Sequence, residues 1–199
     1  IILIGNFDGL HLGHQKLFKL AKKFKKKYSL KIGVLTFEPM PKMFFNNDLN
    51  NFRISNENQK INLLKNFDVD FVIIKKFDRK FSKIKSENFI KKILNSKLHA
   101  KFIFVSNNFR FGNKREGDVK LLISYEESYN YKVIKPKPLI KSHKIISSSL
   151  IRNLLEKGFL NKANKLLNRK WCVEGIVQKG RQVGKKVGFP TCNIDIKDY

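Results

Sequence analysis

Short apolar runs alternate with amphipathic stretches along roughly the first 168 residues of the chain. The apolar runs have the length and the content of branched and aromatic residues that favour strands. They predict strands over residues 1–5, 31–37, 70–74, 101–105 and 131–135. Strands that alternate with helices are typical of a parallel sheet with crossover helices. The pattern therefore predicts an α/β fold.

The amphipathic stretches have the spacing of a single buried helical face. In the first, lysines separate four apolar residues at positions i, i+3, i+4 and i+7, which are Leu17, Leu20, Ala21 and Phe24. Further helices are predicted over residues 57–66, 86–97 and 148–157. Ser86 is expected to cap the second of these at its N-terminus and Ser147 or Ser148 the third, with Gly158 as its C′ residue.

The residue pattern of the chain changes past residue 168. Residues 171–177 alternate like a strand of an all-β unit, and glycines recur at positions 175, 180, 184 and 188. We therefore place one domain at residues 1–168 and the start of a second, β-rich domain at 169–199. About thirty residues supply too few strands to close a sheet or barrel. Because the chain also opens inside an apolar strand without Met, we expect a fragment of a longer protein, cut at both ends.

The formal net charge is +26, from 42 Lys and Arg against 16 Asp and Glu. Such an excess raises the possibility of nucleic-acid binding, because basic patches gain affinity by releasing phosphate counterions. The lysines are spread over the whole length, however, which indicates a compositional bias and solvated helix faces. We expect only weak, salt-sensitive attraction to RNA or other anions, and no specific nucleic-acid partner.

The compartment is predicted from three negative features of the sequence. No apolar run approaches the roughly 20 residues of a membrane span. The first residues lack the basic lead-in of a signal peptide. The two cysteines, Cys172 and Cys192, have neither a CxxC spacing nor the density of a secreted disulfide scaffold, so we take them as free thiols. A cytoplasmic protein with no membrane partner is expected.

The segment Gly5–His14, GNFDGLHLGH, lies between the first predicted strand and the first helix. Glycines at such a turn let the backbone approach a bound anion, and the following helix presents free N–H groups and its positive end. His11 and His14 are three residues apart and should lie on one face there, where they could stabilise charge on a phosphate. Two ordinary helix-start histidines are the structural alternative. A metal site is less favoured, because no acidic or Cys ligand stands at a matching spacing.

The sequence resembles a known family at several points. HLGH resembles the HxGH motif of the nucleotidylyltransferase superfamily, and the longer string GNFDGLHLGHQ resembles the FMN adenylyltransferase module of bacterial bifunctional FAD synthetases. Residues 36–41 (TFEPMP), 104–112 (FVSNNFRFG) with 115–118 (REGD), and 146–152 (ISSSLIR) are similar to further segments of that family, in the same order. Met40 stands where a His is frequent, and Ser149 stands where Thr is usual.

The resemblance implies a Rossmann-like parallel sheet of the HxGH nucleotidylyltransferase type and a set of site residues. Catalytic roles are implied for His11, His14 and Arg152. ATP binding is implied for Gly5, Phe7, Gly9, His11, His14, Ser147, Ser148, Ser149 and Arg152. FMN binding is implied for Asp8 and Asn108. Arg152 and the serine hydroxyls should reach the ATP phosphates from the side opposite the histidines.

The second domain has a family counterpart as well. Residues 180–184 (GRQVG) and 188–193 (GFPTCN) are similar to the riboflavin kinase module, which begins a β-barrel. The resemblance implies that Thr191 and Asn193 would be oxygen ligands of Mg²⁺, a hard cation, in a complete kinase domain. The residues of that module that would follow residue 199 include its Glu base. This chain is therefore not expected to phosphorylate riboflavin.

The expected reaction is attack by an FMN phosphate oxygen on the α-phosphorus of ATP, giving FAD and pyrophosphate, with Mg²⁺ neutralising the leaving group.

Other functions are possible alternatives. Other HxGH enzymes act on pantetheine phosphate or glycerol phosphate. A class I aminoacyl-tRNA synthetase fragment would need a KMSKS-like loop, which is not found. A basic RNA-binding module is the alternative of a different class, supported by lysine content alone. The oligomeric state is not predicted.

Overall fold

A parallel sheet of five strands forms the centre of the protein, with its strands in the order third, second, first, fourth and seventh along the chain. The computed structural model describes residues 1–46, 48–49, 52–181 and 183–199, so Gln182 of the kinase-like segment lies outside the described residues. The strands are β1 (Ile2–Ile4), β2 (Gly33–Glu38), β3 (Phe71–Lys76), β4 (Phe102–Phe104), β5 (Arg110–Phe111), β6 (Gly117–Asp118), β7 (Lys132–Ile134), β8 (Ile140–Lys141), β9 (Lys144–Ile145), β10 (Val177–Gln178) and β11 (Asn193–Ile194). The predicted α/β fold is confirmed.

Helices lie between the strands of the central sheet and also follow its last strand. They are α1 (Leu12–Tyr28), α2 (Pro41–Phe45), α3 (Glu57–Lys65), α4 (Arg79–Ser82), α5 (Ser86–Asn88), α6 (Val119–Ser124), α7 (Glu126–Tyr129), α8 (Ser148–Glu156), α9 (Leu160–Leu167) and α10 (Val183–Lys186). A π-helical segment, Phe89–Asn95, continues α5, and 3₁₀ turns lie at Asp8–Leu10 and Asn113–Arg115. The predicted helix over residues 57–66 is confirmed, with Asn56 and Gln59 forming a capping box at its start.

Each face of the sheet covers its own hydrophobic core, because successive side chains of a strand point to opposite faces. On one face, Ile2 and Ile4 of β1 pack with Phe89 and Leu94 of the π-helical segment. On the other face, Leu3 packs with α1 and α3 through residues that include Leu17, Phe18, Ala21 and Leu64. The sheet is therefore the middle layer of an α/β/α arrangement.

The strand order reverses at the centre of the sheet. The chain runs from β1 outward through β2 to β3, and then returns to place β4 on the other side of β1. Ile2 of β1 is in register with Gly33 on one side and with Ile103 on the other. Ligands bind open parallel sheets at the carboxyl ends of the strands that flank such a reversal. The loops that follow β1 and β4 are consequently the first place to look for a site.

A third apolar cluster joins α8 and α9 to the segment before α3. Ile151 of α8 and Ala163, Leu166 and Leu167 of α9 pack with Ile54, which precedes α3. The predicted N-cap Ser147 is confirmed, since its side chain accepts a hydrogen bond from the N–H of Leu150. Gly158 follows the helix with φ of 71°, as predicted for a C′ residue.

Two local predictions were wrong. Ser86 is the first residue of α5 and not its N-cap, because its N–H donates to the Glu116 carboxylate at 2.8 Å and Lys85 occupies the cap position. The predicted strand over residues 171–177 is regular only from Val177, which pairs antiparallel with β11. The N–H of Trp171 instead donates to the side chain of Asn164 in α9, so it is not bonded to a neighbouring strand.

The last part of the described chain is a two-stranded ladder of β10 and β11. The Tyr199 hydroxyl, on a residue that is 5% exposed, donates to Gln59 Oε1 at 2.7 Å and accepts from the N–H of Glu174 at 2.7 Å. Both predicted free cysteines, Cys172 and Cys192, are free and exposed. Among the described residues, no helix combines the length and the apolar character needed to cross a membrane.

Candidate active site

The loop between β1 and α1 has an unusual backbone. Phe7, Gly9 and Leu10 all have positive φ, at 49°, 76° and 37°, which for side-chain-bearing residues is uncommon and costs energy. The loop nevertheless buries Phe7 and Leu10 almost completely, at 2% and 1% exposure. The strain therefore serves to turn the chain sharply at the end of β1 and to deliver His11 to the start of α1.

His11 and His14 form a stacked pair at the N-terminus of α1. Their ring centroids are 3.7 Å apart, with 19° between the ring planes. His11 is the N-cap, and its Nδ1 accepts a weak hydrogen bond of 3.4 Å from the N–H of His14. Because Nδ1 accepts, the proton of the neutral His11 ring is on Nε2. The rings of Phe7 and His14 meet edge to face, with 5.2 Å between centroids, which supports the pair from the core side.

Burial keeps both imidazoles uncharged at neutral pH. Desolvation lowers the pKa of His11 to about 4, and the positive charge of Arg152 contributes to the lowering. Burial also lowers the pKa of His14 well below its usual value, with a further lowering from His11. His14 Nδ1 is buried and has no hydrogen-bond partner among the described residues. Since buried polar atoms are nearly always paired, this atom indicates a place for a ligand or water.

Arg152 is held by an ion pair with Asp8, 144 residues earlier in the chain. Its Nη2 lies 2.7 Å from Asp8 Oδ2, and the exposed fractions of the two side chains are 16% and 4%. The Arg152 Nε donates to the carbonyl of Phe52 at 2.7 Å, and the guanidinium lies over the Phe52 ring at 3.7 Å. Stacking and two fixed hydrogen bonds leave the guanidinium few conformations.

The Asp8 carboxylate is enclosed by donors from the protein itself. Besides Arg152, it accepts from the N–H of Ile54 at 3.0 Å and from that of Ser55 at 3.2 Å. The Ser148 hydroxyl donates to the Asp8 carbonyl at 2.9 Å. Asp8 thus joins three separate parts of the chain: the loop after β1, the segment before α3 and the start of α8.

These groups line one cavity of about 1080 Å³ at the carboxyl ends of β1 and β4. His11, His14 and Arg152 are among its lining residues. The lining also contains phenylalanines that pack on one another and form an aromatic wall, namely Phe37, Phe45, Phe77, Phe81, Phe109 and Phe111. Asp8 is the acidic residue among the described lining residues, whereas several lysines and arginines line the rim, namely Lys16, Lys42, Arg110, Lys114, Arg115 and Lys137. Such a lining favours an anionic ligand with an aromatic part.

Most residues that the sequence nominated lie around this cavity. Its lining includes Gly5, Phe7, Asp8, His11, His14, Asn108, Ser147, Ser148, Ser149 and Arg152. Gly9 is not part of the lining, because it packs against Ile54, so closely that a Cβ added to Gly9 would lie 2.9 Å from the Ile54 side chain. Thr191 and Asn193 are exposed and belong to the C-terminal segment, away from the cavity lining. The ligands that these residues bind stay a prediction.

Sequence reasoning missed a second polar network beside the cavity. Arg53 makes a two-pronged ion pair with Glu38, at the end of β2, and Lys60 approaches the same carboxylate at 3.8 Å. Lys60 is 4% exposed, and burial lowers its pKa. The network ties the segment before α3 to the sheet. A lysine at a polar-looking helix position gives no sequence signal that it is buried.

The comparison with known proteins agrees with this geometry. Residues 1–150 match the FAD synthetase family, and residues 167–199 match the riboflavin kinase family. A bifunctional riboflavin kinase/FMN adenylyltransferase of Buchnera aphidicola subsp. Schizaphis graminum is 41% identical, over 98% of this chain and 63% of the relative. The Escherichia coli (strain K12) protein of the same name is 34% identical, over 99% of this chain and 63% of its own length.

A solved structure is similar over the same extent. The crystal structure of a protein titled macrolide-efflux protein from Streptococcus pneumoniae superposes with a TM-score of 0.82 and 28% sequence identity, covering 98% of this chain and 64% of that one. The chain thus spans a little under two thirds of the length of these proteins. The family match extends over about three quarters of the sequence, which confirms the resemblance found in the motifs. The chain belongs to the FAD synthetase family.

Proposed function

We propose that the chain transfers the AMP moiety of ATP to the phosphate of FMN, giving FAD and pyrophosphate. One observation carries the proposal: a single cavity is lined both by the imidazole and guanidinium groups and by the aromatic wall. A nucleoside triphosphate needs the first and an isoalloxazine ring suits the second. The relatives named riboflavin kinase/FMN adenylyltransferase support the same pair of substrates.

The imidazole and guanidinium groups of the cavity suit a transferring α-phosphate. His11 and His14, neutral at pH 7, can donate hydrogen bonds to oxygens that gain charge as phosphorus is attacked. Arg152 adds a permanent positive charge whose position is already fixed by Asp8 and Phe52. The hydroxyls of Ser147 and Ser149 can supply further donors, whereas the Ser148 hydroxyl already donates to the Asp8 carbonyl. We assign the ATP phosphates to these groups.

The aromatic wall of the cavity suits a flavin. Phe37, Phe77 and Phe81 pack with one another on the wall in tilted and edge-to-face pairs, with centroid distances of 5.7 to 6.2 Å. Such a wall can contact a flat ring system from several sides. Asn108 lies on the exposed loop after β4 and lines the same cavity, so its amide can meet a polar edge of the ring. The Asp8 carboxylate already accepts hydrogen bonds from the protein, which hold it in place. We propose that Asp8 contributes to FMN binding from this fixed position.

In the proposed step an FMN phosphate oxygen forms a bond to the α-phosphorus of ATP. The bond from that phosphorus to the oxygen bridging the α- and β-phosphates breaks, and its electrons leave with pyrophosphate. No protein nucleophile takes part, so catalysis consists of holding the two anions in line and stabilising charge. A dianionic FMN phosphate needs no base to remove a proton.

Mg²⁺ is proposed to enter with ATP. In the described residues, no three His, Cys, Asp or Glu side chains are grouped so that they could hold a metal, and the Asp8 carboxylate is taken by Arg152. The described part of the chain therefore offers no cage of its own, and the ion would be bound through phosphate oxygens and water. When bound, it would neutralise charge on the leaving pyrophosphate.

The riboflavin kinase activity is proposed only for a protein with a complete second domain. Thr191 and Asn193 would bind Mg²⁺ there, and riboflavin would be the substrate. We also propose a cytoplasmic location, because both cysteines are exposed free thiols, the state that a reducing compartment maintains.

The test is incubation with ATP, FMN and Mg²⁺ while FAD and pyrophosphate are followed. His14→Ala and Arg152→Ala should each lower the rate about 100-fold or more, as expected for loss of a charge-stabilising donor. His143→Ala, at an exposed turn outside the cavity lining, is the control and should leave the rate unchanged. Undiminished FAD formation in either cavity variant would remove the assigned roles. AMP transfer to glycerol phosphate or phosphopantetheine, but not to FMN, would favour the rival enzymes.

A further inference from the structure

Two residues beyond the FAD synthetase match make direct contacts with the elements that hold Arg152. They are Arg169 and Trp171, and both belong to the segment that matches the riboflavin kinase family. We infer that Arg169 and Trp171 are positioning residues for adenylyl transfer, which act through Asp8 on Arg152. This inference rests on the proposed function. The start of the second domain would thus be a working part of the first domain's site.

Arg169 bridges the two backbone segments that meet at Asp8. Its Nη1 donates to the carbonyl of Gly9 at 2.8 Å, immediately after Asp8 in the chain. Its Nη2 donates to the Ser55 hydroxyl at 3.2 Å, on the residue whose N–H binds the Asp8 carboxylate. One planar guanidinium therefore sets the distance between the loop after β1 and the segment before α3. A fixed fork of donors suits this task better than a single ammonium group.

Trp171 holds the same segment from a second direction. Its indole Nε1 donates to the carbonyl of Ile54 at 2.9 Å, and Ile54 presents its N–H to Asp8. The backbone N–H of Trp171 donates to the Asn164 side chain at 2.7 Å, which anchors the tryptophan to α9. Ile54 is 1% exposed, so loss of the indole donor would leave its carbonyl buried without this hydrogen bond.

The contacts form an unbroken series to the cavity. Arg169 and Trp171 fix the segment of Ile54 and Ser55, whose two N–H groups fix the Asp8 carboxylate. Asp8 in turn fixes Arg152 at 2.7 Å. A shift of about 1 Å at a charge-stabilising group can lower a rate about 100-fold. Loss of Arg169 should therefore reach the reaction without any contact between Arg169 and substrate.

The first measurement compares the rates of FAD formation of three variants with that of the unmutated chain. Arg169→Ala should lower kcat about 10- to 100-fold with little change in KM for FMN. Trp171→Phe keeps an aromatic ring but removes the N–H, and a decrease of about 3- to 10-fold is expected. Lys170→Ala, an exposed neighbour, is the matched control and should retain full activity. Equal activity of Arg169→Ala and Lys170→Ala would overturn the inference.

A double-mutant cycle separates positioning from a general loss of folded protein. If Arg169 acts through Arg152, Arg169→Ala should lower the rate by less than about threefold when Arg152 is already Ala. A role confined to folding would leave no decrease in either background once the rates are corrected for the folded fraction, and this result would contradict the inference. Circular dichroism of each variant measures its folded fraction, by which the rates are divided.

The cycle also distinguishes this inference from the proposed function. If the unmutated chain makes no FAD, the proposed function has failed and the inference with it. If the unmutated chain makes FAD but the effects of Arg169 and Arg152 are additive, the proposed function stands and the inference alone has failed. Only a large single effect that disappears without Arg152 supports both.

Discussion

Acid should destabilise the folded protein through His11 in particular. The imidazole is 5% exposed, and desolvation, aided by the nearby charge of Arg152, lowers its pKa to about 4 in the folded state. In the unfolded chain the ring is solvated and has a pKa of about 6.5. Between these values the unfolded state binds the proton and the folded state does not. Stability contributed by the neutral ring is therefore intact above about pH 6.5 and is lost as the pH falls toward 4.

The size of the effect follows from the two pKa values. Each unit of difference is worth about 1.4 kcal/mol, so at pH 5 the unfolded state is favoured by about 2 kcal/mol relative to pH 8. Below pH 4 the loss from His11 levels off near about 3 kcal/mol. This is a large part of the total stability of an ordinary domain, which is about 5 to 15 kcal/mol. His14, whose pKa is also lowered by burial, should add acid sensitivity of its own.

The assay is urea unfolding at pH 8 and pH 5, for the unmutated chain and for His11→Asn. Asparagine removes the titrating ring but is itself a favourable N-cap, so the hydrogen bond to the His14 N–H can be kept. Between pH 8 and pH 5 the unmutated chain should lose about 2 kcal/mol more than His11→Asn does. His143→Asn, at an exposed turn, controls for removal of any histidine. Equal losses in the unmutated chain and His11→Asn would refute the reasoning.

Two further predictions concern the surroundings of the site. Gly9→Ala should destabilise the protein by about 2 to 4 kcal/mol in urea unfolding, because φ is 76° and the new methyl would lie 2.9 Å from Ile54. Gly158→Ala is the control: φ is 71° there too, but the space around it is open, so the substitution should cost only about 1 kcal/mol. Equal costs would show that the contact with Ile54 is unimportant. Asp8→Asn leaves the Arg152 charge without its anion, so the free energy of unfolding should fall by about 3 kcal/mol. The rate of FAD formation should fall at least about 10-fold. If both stability and rate were retained, the ion pair would be excluded as a support of the site.

Much of the fold could be predicted because local patterns decided it. The run 31–37 predicted β2 within two residues at its start, since its alternate side chains are needed by both cores of the sheet. The Ser147 cap was equally accessible, because the hydroxyl and the N–H that it binds are three residues apart. Ser86 failed for the opposite reason: its N–H is satisfied by Glu116, thirty residues later, and no local pattern contains that information.

The candidate site divides in the same way. His11 and His14 lie within four residues of each other, so the sequence could place them together at the start of a helix. The pairing of Asp8 with Arg152 spans 144 residues and depends on the docking of α8 against the loop after β1. The aromatic wall was missed because a phenylalanine that faces a cavity has the same sequence signature as one that faces the core. Only the resemblance to a family brought Asp8, Asn108 and Arg152 forward.

The Asp8 and Arg152 pair would keep the proposed site for two anions ordered before either substrate binds. A free guanidinium beside two neutral imidazoles would be a mobile cation, and its ordering would oppose substrate binding. The Asp8 carboxylate holds Nη2 at 2.7 Å and the Phe52 ring covers the guanidinium face, so the ordering is already complete in the folded protein. The hydrogen bonds of the described residues use Nε and Nη2 of Arg152, so Nη1 is the donor that we expect to meet the proposed ATP phosphate. Asp8 thus neutralises part of the Arg152 charge, and the same ion pair holds the other N–H donors of the guanidinium in place.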